Sequence, residues 1–89
     1  MLTTLVGLPL DQIDTPALLV DLPTLDRNIA LMAEATSTRG VGWRRHATAH
    51  KSPAVAHRLL AAGAHGVTCA KLGEAEVFAA AGVRDILIA

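Results

Sequence analysis

Arg44, His46, His50 and Lys51 place four groups able to carry or move a positive charge within eight residues of an otherwise apolar chain. Each type does different work. An imidazole titrates near neutral pH and can pass protons. A guanidinium grips a carboxylate or phosphate through two parallel N–H bonds. A lysine amine, once deprotonated, condenses with a carbonyl carbon to give an imine. Thr48 lies among them with a hydroxyl, which cannot form that linkage. Each residue also has a plainer role: lone histidines are commonly structural, and Lys51 could be a solvated charge.

Other chemistry is poorly supported. His46 and His50 are four apart, but a loop is expected between them, so the helical i, i+4 metal-ligand argument does not apply. His57 and His65 lack a carboxylate or cysteine at ligand spacing, and no metal site is expected in this segment. Cys69, between Thr68 and Ala70, is expected to be a small buried hydrophobe in a strand. Gly63-Ala64-His65-Gly66 precedes a strand and is read as a turn, because a phosphate loop would open a helix.

Local signals set the elements that must position these groups. The apolar run Ala17–Leu22, between Pro16 and Pro23, reads as a strand. Pro23 suits the first turn of a helix whose apolar face is Leu25, Ile29, Met32 and Thr36, ending at Gly40. Val41–His46 reads as a second strand. Ser52-Pro53 starts a helix with Val55, Leu59 and Ala62 on its apolar face, stopped by Gly63. Gly66–Ala70 is a third strand. Glu74 and Glu76 then complement the positive end of a helix that buries Val77, Phe78 and Ala81 and closes at Gly82. Asp85–Ala89 is the last strand. Ala61-Ala62-Gly63 recurs nineteen residues later as Ala80-Ala81-Gly82, each followed by a strand. Strands alternating with helices imply an α/β fold with a parallel sheet and right-handed crossovers.

Composition narrows the partners. Eight basic and eight acidic residues balance in 89. Arg44-Arg45 is the sole basic cluster, so no nucleic-acid footprint is expected. No apolar run reaches the ~18 residues of a membrane span. Met1–Leu10 is apolar but has no basic start, so a cytoplasmic protein without a signal peptide is expected. A single cysteine excludes an internal disulfide and fits a reducing compartment. The chain divides into an amino-terminal segment, residues 1–13, and one domain, residues 14–89.

The segment from Arg44 to Pro53 resembles the cofactor-lysine motif of the D-threonine aldolase and D-serine dehydratase-like family, which reads Arg-Pro-His-x-Lys-Thr-His-Lys and is often followed by Ser-Pro. Arg44, His46, His50, Lys51, Ser52 and Pro53 match it; Arg45 replaces the proline and Ala49 the threonine. Thr48 stands where the family has its Schiff-base lysine. Asp14–Leu22, Leu25–Ile29, Gly66–Glu76 and Ala80–Ala89 continue the likeness in the same order.

The resemblance implies a partial parallel (β/α) barrel of the alanine-racemase type, with an opening strand and helix plus three of eight barrel strands. Such barrels typically need ~250 residues. It implies enzymes dependent on pyridoxal phosphate that cleave β-hydroxy D-amino acids by a retro-aldol reaction, or dehydrate D-serine-like substrates. It further implies a divalent metal held by a carboxy-terminal domain outside this sequence, a small D-amino-acid substrate and a homodimeric parent. Arg44, His46, His50 and Lys51 become candidates for contact with the cofactor or its surroundings, while Thr48 leaves no catalytic residue. The expectation is an inactive segment that binds neither cofactor nor metal alone. The alternatives are a non-catalytic piece that completes another chain, a dehydratase-type parent, or a sequence error at position 48.

Overall fold

The computed structural model describes residues 5–89; of the amino-terminal segment 1–13, residues 1–4 lie outside the described part. A short 3-10 turn, Leu10–Gln12, precedes helix α1, Leu22–Thr38. Strand β1 (Arg44–His46), helix α2 (Pro53–Ala61), strand β2 (Gly66–Cys69), helix α3 (Leu72–Ala80) and strand β3 (Ile86–Ile88) follow. The strands form one parallel sheet in the order β1-β2-β3. The architecture is α/β, as the alternation of elements implies.

Glycine chemistry sets the helix ends. At α2, Gly63 N–H bonds the Leu60 carbonyl (3.0 Å) and Ala64 N–H the Leu59 carbonyl (3.1 Å), with Gly63 at φ 105. At α3, Gly82 bonds Ala79 (3.0 Å) and Val83 bonds Phe78 (3.0 Å), with Gly82 at φ 92. This paired pattern satisfies the orphan carbonyls and needs a left-handed residue, which glycine adopts without a Cβ penalty. Leu59 and Ala64 share one apolar cluster, and Phe78 and Val83 the other, so each closing bond is backed by packing. At its start, α2 is capped by Ser52 Oγ, which accepts the Val55 N–H at 3.3 Å.

The main core lies between the sheet and α2 and α3. It joins Val67 and Cys69 of β2 to Ala56, Ala75, Phe78 and Val83, with Leu60 and Ile86 packed against it. A second cluster of Ile29, Leu59 and Ala64, flanked by Leu25, Trp43 and Val55, fixes α1 to α2. Side chains alternate across a strand. The opposite face therefore carries Arg44, His46, Thr68 and Leu87, with Arg44 in register with Gly66, and His46 with Thr68 and Leu87.

Four expectations need correction. Ala17–Leu22 is not a strand: it has no ladder partner among the described residues, Leu18 is 96% exposed, and Leu22 already opens α1. An apolar run between prolines sets a local bias, but a strand also needs a neighbour to pair with. Met32 is half exposed instead of packed, and Thr36 folds its hydroxyl back on the Met32 carbonyl (2.9 Å). In α3, Ala75 and Phe78 are buried, while Val77 and Ala81 are exposed. Residues 75 and 78 share a face one turn apart; Val77 and Ala81 belong to a neighbouring stripe that nothing among the described residues covers. The strands are also shorter than read, because only paired residues count: Arg44–His46, Gly66–Cys69 and Ile86–Ile88.

Candidate active site

The candidate residues separate to the two ends of the strands. Arg44 opens β1, and its guanidinium crosses the sheet at the amino end. Nη2 meets the Asp85 carboxylate at 2.8 Å, and Nη1 donates to the Val67 and Asp85 carbonyls at 3.3 Å each. This passage requires Gly66. A Cβ there would collide with the Asp85 carbonyl oxygen and lie 2.8 Å from Arg44 Nη1. Arg44 and His46 share a sheet face, but the Arg44 head is committed to Asp85.

His46, Thr48 and Glu74 gather at the carboxyl end. Thr48 N–H donates to His46 Nδ1 at 3.3 Å. Thr48 Oγ1 donates to Glu74 Oε1 at 3.3 Å, and the Ala70 N–H, just past β2, reaches the same oxygen at 3.3 Å. Glu74 lies in the first turn of α3. Burial pushes the Cys69 thiol up, and the adjacent Glu74 carboxylate pushes the same way. Cys69 is wholly buried in the main core, as a small hydrophobe in a strand should be.

His50 turns inward. Its Nδ1 accepts the Ser52 N–H at 2.9 Å, so the proton of the neutral ring sits on Nε2, which is buried without a partner. Burial lowers its pKa below 6.5 and the Arg45 charge lowers it further, against smaller opposing effects of Glu74 and the Ser52 bond. Its ring meets Phe78 edge-on, centroids 6.2 Å apart at 85°. A cleft of about 500 Å3 lies between α1, α2 and β1, with Arg45, His46 and His50 at its polar end and Leu25, Ile29 and Trp43 among its apolar walls. Lys51 is exposed, at φ 51, and makes no side-chain hydrogen bond or ion pair among the described residues. Its backbone N–H bonds the Ala47 carbonyl at 2.7 Å, closing the turn into α2.

Sequence reasoning placed Glu74 only at a helix dipole and gave Asp85 no role. Both contacts span long sequence separations, 26 residues from Thr48 to Glu74 and 41 from Arg44 to Asp85. A capping-box signature could have marked Glu74, but Lys71 occupies the N-cap and offers no such cue. Among the described residues no group of three His, Cys, Asp or Glu could hold a metal ion, and no helix is long and apolar enough to cross a membrane.

A three-stranded parallel sheet with its helices on one face and a polar cluster at the strand ends is part of an α/β fold of the barrel kind, and solved structures agree. A D-threonine aldolase from Filomicrobium marinum superposes with a TM-score of 0.84 at 48% identity, over 89% of this chain and 21% of that one. D-threo-3-hydroxyaspartate dehydratase from Delftia gives 0.83 at 47%, over 88% and 21%. Another structure of that dehydratase is described as metal-free. In sequence, the chain is 45% identical over 82 residues to a D-threonine aldolase of Arthrobacter and 48% identical over 77 to the Delftia dehydratase. A 3-hydroxy-D-aspartate aldolase of Paracoccus denitrificans is 39% identical over 85 residues. No protein-family model matches. Over about nine tenths of its own length the chain is thus homologous to D-threonine aldolases and to hydroxyaspartate dehydratases and aldolases. It spans about a fifth of the length of these relatives.

Proposed function

We propose that this chain is a segment of a lyase acting on β-hydroxy D-amino acids with pyridoxal phosphate, and that Thr48 leaves it without the cofactor's covalent anchor. The observation that carries the reading is Thr48 itself. It sits at the carboxyl end of β1, the end at which (β/α) barrels place their chemistry, inside a segment 45% identical to a D-threonine aldolase.

The residues present do not fit covalent attachment. A threonine hydroxyl forms no imine, and Lys51, three residues on, is exposed with a left-handed backbone. His46 and the orphaned Nε2–H of His50 could still donate to a ligand oxygen in the cleft beside β1. Arg44 would act on a ligand only indirectly, by holding the start of β1 to Asp85. The parent reaction is either retro-aldol cleavage or dehydration, the chemistry of two kinds of relative that match about equally. A cytoplasmic, homodimeric parent and a metal held outside this segment belong to the same proposal.

The test is to mix the polypeptide with pyridoxal phosphate, add borohydride and map the modified peptides. The expected result is no fixed cofactor at any single site and no glycine or acetaldehyde formed from D-threonine. Selective labelling of Lys51 would make it a relocated anchor and overturn the reading. A second role, completing the sheet of another chain, is favoured by the outer edges of β1 and β3, unpaired among the described residues, and by Leu87 and Ile88, which stay about half exposed.

A further inference from the structure

We propose that Glu74 is the positioning residue for the side chain at position 48, receiving a donor there and holding it at the carboxyl mouth of the sheet. The inference rests on the reading that position 48 is the cofactor-anchor position. Its basis is a contact made across the β1–β2 strand ends: Thr48 Oγ1 to Glu74 Oε1, 3.3 Å, between residues 26 apart.

A helix cap alone would not require this contact. In the first turn of α3, Glu74 already accepts the Ala70 N–H at 3.3 Å, which ties the carboxylate to its own turn. The Thr48 hydroxyl comes from another loop and lands on the same oxygen. The Thr48 backbone is held from its other side by His46 Nδ1. Residue 48 is thus fixed at backbone and side chain, while Lys51, three residues on, makes no ion pair or side-chain hydrogen bond among the described residues. The titratable groups facing the pair are His46 on the Thr48 side and Cys69 under the carboxylate; Glu74 also reaches His50 through its field. No cationic side chain bonds Glu74 among the described residues. A donor built on the same Cβ meets the same carboxylate, whether hydroxyl, thiol or ammonium. A carboxylate beside an ammonium stabilises the charged form, and beside a thiol it disfavours the thiolate.

The experiment follows the pH dependence of chemistry at residue 48 with and without the charge of Glu74. In Thr48→Lys, pyridoxal phosphate and borohydride should fix label at residue 48: the amine condenses with the aldehyde, losing water, and hydride reduces the new C=N bond. Adding Glu74→Gln keeps an acceptor for the Ala70 N–H and removes only the charge. The midpoint of labelling against pH should then fall by about one unit. An unchanged midpoint overturns the proposal. Absence of label at residue 48, with Lys51 and Lys71 reacting instead, overturns the anchor reading, which is a separate outcome. Should the lysine variant fail to fold, Thr48→Cys is nearly isosteric, and its alkylation is read by peptide mass. Its midpoint should also fall with Glu74→Gln, and an equal midpoint in both forms overturns the proposal again. Cys69, wholly buried, stays unalkylated while the fold is intact and serves as the internal control.

Discussion

The two ends of the sheet are built on opposite terms. At the amino end, Arg44 is spent: one ion pair at 2.8 Å and two carbonyl bonds fasten β1, β2 and the start of β3 across a glycine that leaves no room for anything else. At the carboxyl end, Thr48, Ala70 and Glu74 share bonds of 3.3 Å, and the buried Nε2 of His50 has no partner among the described residues. One end closes the structure and the other holds unspent polar capacity. A barrel enzyme divides its strand ends in the same way, with stability below and chemistry above. In these three strands the contrast is one of geometry, a fastened amino end against a loosely bonded polar carboxyl end.

Substitutions can break this contrast or sharpen it. The largest effect should come from the layer beneath both ends. Phe78→Ala empties the centre of the main core and should cost about 3–5 kcal/mol, seen as lost amide protection at Val67 and Cys69. If those amides stay protected, the core does not support both ends in common. Gly66→Ala tests the amino end by overpacking it against Asp85 and Arg44, at about 1–3 kcal/mol. Amide exchange should quicken first at Val67, whose N–H bonds Asp85 O at 3.1 Å, with the Ala70 amide little changed.

The carboxyl end should respond to acid. His50 has a folded pKa below 6.5, so the unfolded chain takes up the proton more readily. Its contribution to stability is complete above 6.5 and is lost as pH falls through the folded value. A urea midpoint that drops below about pH 6.5, and drops less in His50→Gln, would bear this out; parallel curves would sink it. The smallest effect belongs to the Arg44–Asp85 ion pair taken alone. Asp85 is more than half exposed, so Asp85→Asn should shift stability by no more than about 1 kcal/mol and less in high salt. A larger loss would mean the amino end depends on charge more than on the close approach at Gly66.

Local chemistry was legible in the sequence. Pro23, Ser52-Pro53, Gly40, Gly63 and Gly82 act within a turn of chain, and the helix limits fall where they indicate. Pairing was not legible. Ala17–Leu22 has the composition of a strand, but a ladder needs a second segment, and residue types cannot report whether one is there. The exposed Val77 and the buried Ala75 differ for a related reason: a short apolar helix has several candidate faces, and only the sheet beneath selects one. At the site, residue 48 could be picked out by motif, while its partner Glu74 required the β–α–β crossover to bring it near.

The helix ends at Gly63 and Gly82 share one pattern of bonds and one apolar clasp, Leu59 with Ala64 and Phe78 with Val83. Each works as a self-registering joint, setting the pitch at which the next strand is delivered without instruction from distant parts. Such a joint is a natural splice point. A foreign β–α unit grafted after Gly82 needs an apolar residue at the next position to clasp Phe78, and little else, to lay its strand in line with the sheet.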